Sequence, residues 1–157
     1  MDNAAHTVRI AAPAARLWEM VSDVTRMGEW SPETTGAQWL DGASSPVVGA
    51  RFKGRNSRGK GRWATVCEVT EADPGHTFAF VVGGTKRPRT AWRYRFTPVD
   101  GGTEVTESFE VIKPLGRVPQ TLLRLLTGVT DPHAHLADGL RQTLHRLKAA
   151  AESQPQQ

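Results

Sequence analysis

The chain has 157 residues and a formal net charge of +4, with 38% hydrophobic and 23% charged residues, which is the size and composition of one globular domain. These values exclude collagen-like, coiled-coil and disordered chains. The single cysteine, Cys67, excludes a disulfide framework, and no apolar run approaches the roughly 18 residues that a membrane span requires.

The N-terminal segment contains Asp2 and no hydrophobic stretch, so it does not resemble a signal peptide. We therefore expect a cytoplasmic protein without integral membrane association. A single domain is expected over residues 1–152, followed by a polar C-terminal tail over residues 153–157.

The first predicted elements are a strand and two short helical segments. Residues 6–10 alternate polar and apolar side chains, which predicts a strand. Pro13 stands where a helix would begin, and Leu17 and Val21 continue it at helical spacing. Residues 27–32 contain too many turn-forming residues for more than one helical turn.

Six further strands are predicted in the middle of the chain. Each alternates or is rich in β-branched and aromatic residues, and turn sequences such as Asp41-Gly42 and Asp100-Gly101-Gly102 separate them. The short connections force antiparallel pairing of successive strands, because a parallel crossover needs a dozen or more residues. The candidates span residues 36–40, 50–56, 62–70, 77–82, 90–97 and 103–112.

The hydrophobic period changes to three and four residues after Pro114, which predicts helices over residues 117–127 and 132–150. Gly128 separates them, and Asp131 is the expected N-cap of the second. At 1.5 Å per residue the second helix spans roughly 30 Å, enough to cross a sheet. The sequence thus predicts an α+β fold in which one antiparallel sheet packs its apolar face against this helix.

Most aromatic residues fall on one face of the predicted sheet. Successive side chains of a strand point to opposite faces, so each strand can be sorted into two sets. Nine of the eleven aromatic residues then share the face toward the C-terminal helix: Trp39, Phe52, Trp63, Phe78, Phe80, Trp92, Tyr94, Phe96 and Phe109. Such a lining, with polar groups among it, predicts an internal cavity between sheet and helix.

Asn56, Thr65 and Glu107 occupy the same face, together with the hydroxyl of Tyr94. An ionised carboxylate among apolar side chains is unfavourable, so Glu107 needs a partner, water or a raised pKa. Two interpretations stay open. Glu107 is either a structural acid that its polar neighbours satisfy or a group that contacts a ligand.

Basic residues concentrate between positions 51 and 95, with eleven Lys and Arg against three Asp and Glu. Sorting by face places Arg93 and Arg95 on the outer face, where we expect a charge ladder with acidic residues of the next strand. This self-paired face is favoured over nucleic-acid binding, and no nucleic-acid partner is expected. The basic loops 55–62 and 86–89 remain available to an anionic ligand or a membrane surface.

No catalytic or metal-binding motif is evident. The G-x-S-x-G, G-x-x-x-x-G-K-[ST] and H-E-x-x-H patterns do not occur. His133 and His135 are two residues apart on a helix and point to different faces, which argues against a metal pair. We expect no metal and no cofactor, and we interpret Cys67 as a small buried residue rather than a nucleophile.

Trp30 and His133 each allow two interpretations. Trp30 either covers the pocket as a lid or anchors its loop in the core. His133 lies near a helix start, which favours solvent over the cavity. If the protein catalyses a reaction, the available acids and bases are Glu107, Tyr94 and His133.

Several segments together resemble the START-like, helix-grip superfamily, also called the SRPBCC or Bet v 1-like group. Within it, the resemblance is to a bacterial, actinobacterial-type branch, the polyketide cyclase/dehydrase-like proteins. The resemblance covers about residues 6–152. It is carried by Ile10-Ala11-Ala12-Pro13, Glu29-Trp30-Ser31-Pro32, Val48-Gly49-Ala50-Arg51-Phe52, Glu71-Ala72-Asp73-Pro74-Gly75, Gly102-Thr103-Glu104-Val105-Thr106-Glu107-Ser108 and Gly139-Leu140-Arg141-Gln142-Thr143-Leu144.

The resemblance implies a seven-stranded sheet that grips the C-terminal helix around a hydrophobic pocket, with two short helices after the first strand. No catalytic motif of the family can be transferred to this sequence. We expect binding of a hydrophobic small molecule, namely a lipid, polyketide or isoprenoid. A polyketide cyclase, aromatase or dehydratase acting in the same pocket is the alternative, and an interaction protein with a vestigial cavity is a third.

The ligand and the oligomeric state stay open. The predicted ligand-binding residues are Trp30, Trp39, Phe52, Asn56, Trp63, Thr65, Cys67, Phe78, Phe80, Trp92, Tyr94, Glu107, Phe109, Leu126, Val129, His133, Leu136 and Leu140.

Overall fold

A computed structural model of the chain describes residues 3–113, 122, 124, 125, 128 and 131–153. A single 3₁₀ turn, Val24–Arg26, precedes the second helix. The described elements are β1 (Asn3–Ile10), α1 (Ala14–Ser22), α2 (Met27–Trp30), β2 (Thr34–Trp39), β3 (Arg51–Arg58), β4 (Gly61–Asp73), β5 (Thr77–Val82), β6 (Thr90–Val99), β7 (Gly102–Val111) and α3 (Pro132–Ser153).

The seven strands form one antiparallel sheet in the order β1-β7-β6-β5-β4-β3-β2. The meander from β2 to β7 follows the predicted hairpins, and the α+β helix-grip fold is confirmed. The first strand completes the sheet by pairing with the last, with Asn3 opposite Glu110 and Ile10 opposite Thr103. None of the helices in the described part of the chain is both long and apolar enough to cross a membrane.

The long helix α3 runs beside β1 and in the same direction. His133 Nε2 lies 3.0 Å from the carbonyl oxygen of Asn3 at the start of both elements. Near their ends, Lys148 Nζ donates to the carbonyl oxygen of Arg9 at 2.9 Å. Asp131 is confirmed as the N-cap, because its Oδ1 accepts a hydrogen bond from a first-turn backbone N–H at 3.1 Å.

The predicted helix over residues 117–127 lies largely outside the described residues. Leu122, Arg124 and Leu125 are described and helical. Gly128, where the break was predicted, has a φ of 75° and donates its N–H to the Arg124 carbonyl oxygen at 2.8 Å. Glycine adopts this left-handed conformation without steric cost, so it suits the end of a helix.

The two ends of the sheet carry different elements. The α1 end consists of the β1–α1 connection, the β4–β5 turn, the β6–β7 hairpin and the last turns of α3. The basic end consists of the β3–β4 hairpin, the β5–β6 loop, the end of β7 and the first turns of α3. Both Lys- and Arg-rich loops of the sequence therefore lie at the basic end.

Apolar side chains of the sheet, α1 and α3 pack into a contiguous core that extends from the α1 end as far as Tyr94. Leu17, Val105 and Leu147 are each 0% exposed there. The backbone also approaches closely, because a Cβ on Gly102 would lie 2.1 Å from the carbonyl oxygen of Ile10. Only glycine permits two backbones to approach this closely, so Gly102 lets the β6–β7 hairpin pack directly against the end of β1.

The prediction that Arg93 pairs with an acidic residue of β7 on the outer face is wrong. Arg93 lies opposite Ser108 of β7 and pairs with Glu71 of β4, rather than with Glu104 or Glu110. A bulge in β4 between Val69 and Glu71 explains this, because one extra residue moves the Glu71 side chain from the inner face to the outer face.

Candidate functional site

The inner face of the sheet carries a row of polar side chains between rows of apolar ones. His6 of β1, Glu107 of β7 and Tyr94 of β6 stand directly opposite one another on three neighbouring strands. Glu107 is 2% exposed and Tyr94 8% exposed. The predicted inward position of this carboxyl and hydroxyl is therefore correct.

Burial controls the ionisation of both groups. Loss of solvation raises the pKa of Glu107 to about 8, and the Tyr94 hydroxyl opposes that rise by a hydrogen-bonding interaction. Desolvation, followed by the neighbouring carboxylate charge, raises the pKa of Tyr94 well above its ordinary value. At neutral pH Glu107 is therefore mostly a neutral carboxylic acid, which can donate a hydrogen bond.

One oxygen of the Glu107 carboxyl group lacks a hydrogen bond. Glu107 Oε2 is buried and has no hydrogen-bond partner in the part of the chain that the structure describes. A buried polar atom without a partner costs roughly 1–3 kcal/mol.

Aromatic rings of β6 and β7 lie beside the acid, toward the basic end. The rings of Trp92 and Phe109 are 5.4 Å apart, and the His133 ring meets Phe109 edge-on at 5.8 Å. His133 is exposed, as its position near the helix start favoured, but one side of its ring covers this aromatic pair. The first turn of α3 thus flanks the site.

A second aromatic group lines the middle of the inner face on β2, β3 and β5. Ring centroids are separated by 5.8 Å for Trp39 and Phe52, 5.2 Å for Phe52 and Phe80, and 5.9 Å for Phe78 and Phe80. The first two pairs are edge-on, a geometry that aromatic quadrupoles favour. These side chains form the apolar wall that sorting the strands by face predicted.

The polar residues of β3 and β4 have local partners. Thr34 Oγ1 donates to Asn56 Oδ1 at 3.0 Å, and Asn56 Nδ2 lies 3.4 Å from the carbonyl oxygen of Gly54. Thr65 and Cys67 approach each other at 4.0 Å through Oγ1 and Sγ. Burial raises the pKa of the Cys67 thiol to about 12, which agrees with an inert buried residue.

The structure shows the surroundings of Trp30 and His135, which both lie on helices. Trp30 is 1% exposed and packs in the core beneath the Arg26 guanidinium, 5.0 Å from its ring, so it anchors its loop. His135 points away from His133 and pairs with Glu33, as the predicted difference in faces requires.

The inner face brings most predicted ligand-binding residues together. Leu126 and Val129 lie outside the described residues. The residues that are buried are Trp30, Phe52, Cys67, Phe78, Phe80, Tyr94, Glu107, Phe109 and Leu140, and those that are half-buried are Trp39, Asn56, Trp63, Thr65, Trp92 and Leu136.

His6 was missing from the predicted set. Its half-buried ring lies 6.3 Å from the ring of His145, and burial, with the charges of Arg141 and His145, lowers its pKa. The alternation of residues 6–10 contained the signal, because His6 shares its parity with the buried Ile10.

An open groove of about 450 Å³ on the outer face is a separate feature. Ala79, Ala91 and Ser108 contribute small outward side chains to it, beside the paired Arg93. It lies on the opposite face of the sheet from the Glu107 carboxyl, and two of its polar residues, Arg93 and Glu71, form an ion pair with each other. It is therefore not part of the candidate site.

A family model described as polyketide cyclase / dehydrase and lipid transport matches residues 1–152. The chain belongs to this family. The resemblance to START-like proteins that the sequence motifs indicated is thereby confirmed. The description of the family covers both catalysis and transport, so membership alone does not select one.

Solved structures agree with this assignment. The Polyketide_cyc-like protein Cgl2372 from Corynebacterium glutamicum is 30% identical, with a TM-score of 0.51, 96% of this chain and 85% of that chain being covered. Protein Ms6760 from Mycobacterium smegmatis is 21% identical, with a TM-score of 0.65 and coverages of 97% and 92%.

DynU16, a protein of the dynemicin biosynthetic locus, is 20% identical, with a TM-score of 0.66. The match covers 98% of this chain and 48% of DynU16. At this identity the likeness shows the fold alone. No curated protein matches the chain.

Proposed function

We propose that this protein binds a hydrophobic small molecule on the inner face of its sheet, and that Glu107, hydrogen-bonded to Tyr94, donates a hydrogen bond to an acceptor of that molecule. The observation that carries the proposal is the buried Oε2 atom of Glu107, which lacks a partner among the described residues. A ligand carbonyl, ether or hydroxyl oxygen that accepted a hydrogen bond from the Glu107 carboxyl group would supply the missing partner. Lipids, polyketides and isoprenoids all offer such oxygens.

The surroundings of the acid support an apolar ligand with one polar group. Phe109 and Tyr94 are buried beside Glu107, and Trp92 is half-buried in the next row. Binding sites for small molecules typically combine a mostly apolar lining with a few convergent polar groups. The family description, which includes lipid transport, agrees with a binding role. We extend the proposal to one ligand-binding domain over residues 1–152, acting in the cytoplasm.

The test compares two displacers of the neutral dye Nile red, a long-chain methyl ketone and the alkane of equal length. At pH 6.5 we expect the ketone to bind roughly tenfold more tightly than the alkane, because one hydrogen bond to the buried acid contributes about that much. Glu107→Leu should remove the preference, and Glu107→Gln, which keeps a donor, should retain most of it. An unchanged preference in Glu107→Leu, or no dye binding at all, would overturn the proposal.

A cyclase or dehydratase is the second candidate, and the raised pKa of Glu107 favours it specifically. An acid with a pKa of about 8 exchanges protons near neutral pH, which suits general acid–base catalysis. If Glu107→Gln abolishes turnover of a linear poly-β-ketone but changes its affinity only a few-fold, the protein is an enzyme. If the wild type binds that compound without converting it, the binding role stands alone.

A further inference from the structure

The basic end carries cations that no acid of the described chain neutralises. Lys86, Arg87 and Lys113 are exposed, and the ion pairs of the described residues involve other basic groups. The β3–β4 hairpin adds the exposed Arg58, Lys60 and Arg62. On the outer face, Arg51 and Arg93 have carboxylate partners, whereas the exposed Lys53 and Arg95 form none of the ion pairs of the described residues.

The β5–β6 loop holds its basic tip in a defined position. Arg89 N donates to the Val82 carbonyl oxygen at 2.8 Å and so closes the loop. Gly83 has a φ of 92°, and a Cβ there would lie 2.2 Å from the Arg87 carbonyl oxygen. Only glycine fits this turn, so Lys86 and Arg87 project from a fixed base.

The end of β7 is attached to the same loop. The backbone N–H groups of Ile112 and Lys113 both donate to the Arg89 carbonyl oxygen, at 2.8 Å and 3.0 Å. Ile112 is 47% exposed although it is a large apolar side chain. An exposed apolar side chain thus stands beside the unpaired cations of this loop.

We infer that the basic end docks onto the surface of a bilayer that contains anionic lipids. Unpaired Lys and Arg side chains attract anionic headgroups, and the exposed Ile112 side chain enters the interface below them. The aromatic pair of Trp92 and Phe109 lies close to this basic end. Two residues away on each strand, Thr90 pairs with Val111 where β6 begins and β7 ends. That docking delivers or collects the ligand rests on the proposed function, whereas docking itself does not.

A nucleic acid is the less suitable anionic partner. Proteins that bind single strands stack bases on exposed aromatic rings, and duplex readers present a helix or ribbon to a groove. Every Trp, Phe and Tyr side chain in the described ranges is buried or half-buried. The exposed large hydrophobic residues there are aliphatic: Val47, Val48, Ile112, Leu122 and Leu125.

The test is vesicle flotation with phosphatidylcholine alone and with phosphatidylcholine mixed with about 30% phosphatidylglycerol, at low and high salt. We expect the full chain to float with the mixed vesicles at low salt and not with phosphatidylcholine alone. Lys86→Glu/Arg87→Glu should weaken partitioning at least about 30-fold, since each basic residue near the surface contributes about one decade or somewhat less. Ile112→Ser should weaken it by a few-fold at both salt concentrations.

The matched control is Lys53→Glu/Arg95→Glu, which makes the same charge change at two exposed positions of the outer face. It should retain most of the partitioning. Equal losses in the two double variants would mean that net charge alone attracts the vesicles, and tighter binding to an oligonucleotide than to vesicles would identify another partner. Either result overturns the inference. Nile red binding should survive in Lys86→Glu/Arg87→Glu, so failure of docking and failure of ligand binding are distinguishable.

Discussion

Thr103 and Glu107 lie four residues apart on the same face of β7, one at the α1 end and one toward the basic end. They are equally buried, with 0% and 2% exposure. The Thr103 hydroxyl donates to the carbonyl oxygen of Ala12 at 2.8 Å, whereas Glu107 Oε2 has no partner in the described chain. Burial therefore does not distinguish these two polar groups, whereas the presence or absence of a hydrogen-bond partner does.

The same contrast extends to the whole of each end. At the α1 end the Trp18 indole N–H also has a partner, the Thr77 carbonyl oxygen at 2.7 Å. At the basic end the inward groups include an unsatisfied acid and half-buried Trp63 and Trp92 rings. If the proposed binding site is correct, variants at the α1 end should affect mainly stability, and variants at the basic end mainly ligand contact.

Truncation of the α3 core should show the largest difference between the ends. Leu147→Ala at the α1 end removes a fully buried side chain and should lower the free energy of unfolding by about 2–5 kcal/mol. Leu136→Ala near the basic end, where the side chain is half-buried, should cost about 1 kcal/mol. Urea denaturation measures both. Equal losses would show that the basic end is packed as tightly as the α1 end.

The ionisation of Glu107 should make stability depend on pH. Its pKa is about 8 in the folded protein and ordinary when unfolded, so the folded state binds more protons in between and stability falls as pH rises. Between pH 6.5 and 8 we expect a loss of up to about 1.4 kcal/mol per pH unit. Glu107→Gln should remove that slope in denaturant titrations made across this range.

Because His6 also titrates, the contribution of Glu107 to the pH dependence of stability is measured as the difference between the wild type and Glu107→Gln. Its pKa is lowered in the folded state, so it acts in the opposite sense and raises stability as pH rises toward its ordinary value of 6.5. Subtracting the Glu107→Gln curve from the wild-type curve cancels this contribution. A difference curve that stays flat from pH 6.5 to 8 would mean that Glu107 is already ionised and paired.

The fold was predictable because its signals are local. Alternation, turn sequences and the N-cap at Asp131 act within a few residues, and they placed six meander strands and the long helix within about three residues of their ends. The pairing of β1 with β7 joins the two ends of the strand series. No short-range pattern predicts this pairing, and the family resemblance implied only that the sheet has seven strands.

Alternation along the strands predicted which face of the sheet carries the candidate site, but it did not predict all of the contacts made there. Parity put Glu107 and Tyr94 inside, and the structure places them opposite each other. His6 joined them only through β1, whose neighbour local patterns do not specify. The partner of Arg93 depended on a bulge that reverses parity at Glu71, and a bulge leaves no mark in an alternating pattern.

Two threonine hydroxyls of the inner face should differ in what they contribute to stability, and the Thr65 hydroxyl should give the smallest effect. Thr103→Val keeps the shape but leaves the buried Ala12 carbonyl oxygen without this donor, so unfolding should become easier by about 1–2 kcal/mol. The same change at Thr65, which is half-buried and meets only Cys67 Sγ at 4.0 Å among the described residues, should cost less than about 0.5 kcal/mol. Thermal and urea unfolding of both variants decide the matter. If Thr65→Val proves as costly as Thr103→Val, the polar groups on the β4 side of the inner face are structural too, and the search for ligand contacts narrows to the row of His6, Tyr94 and Glu107.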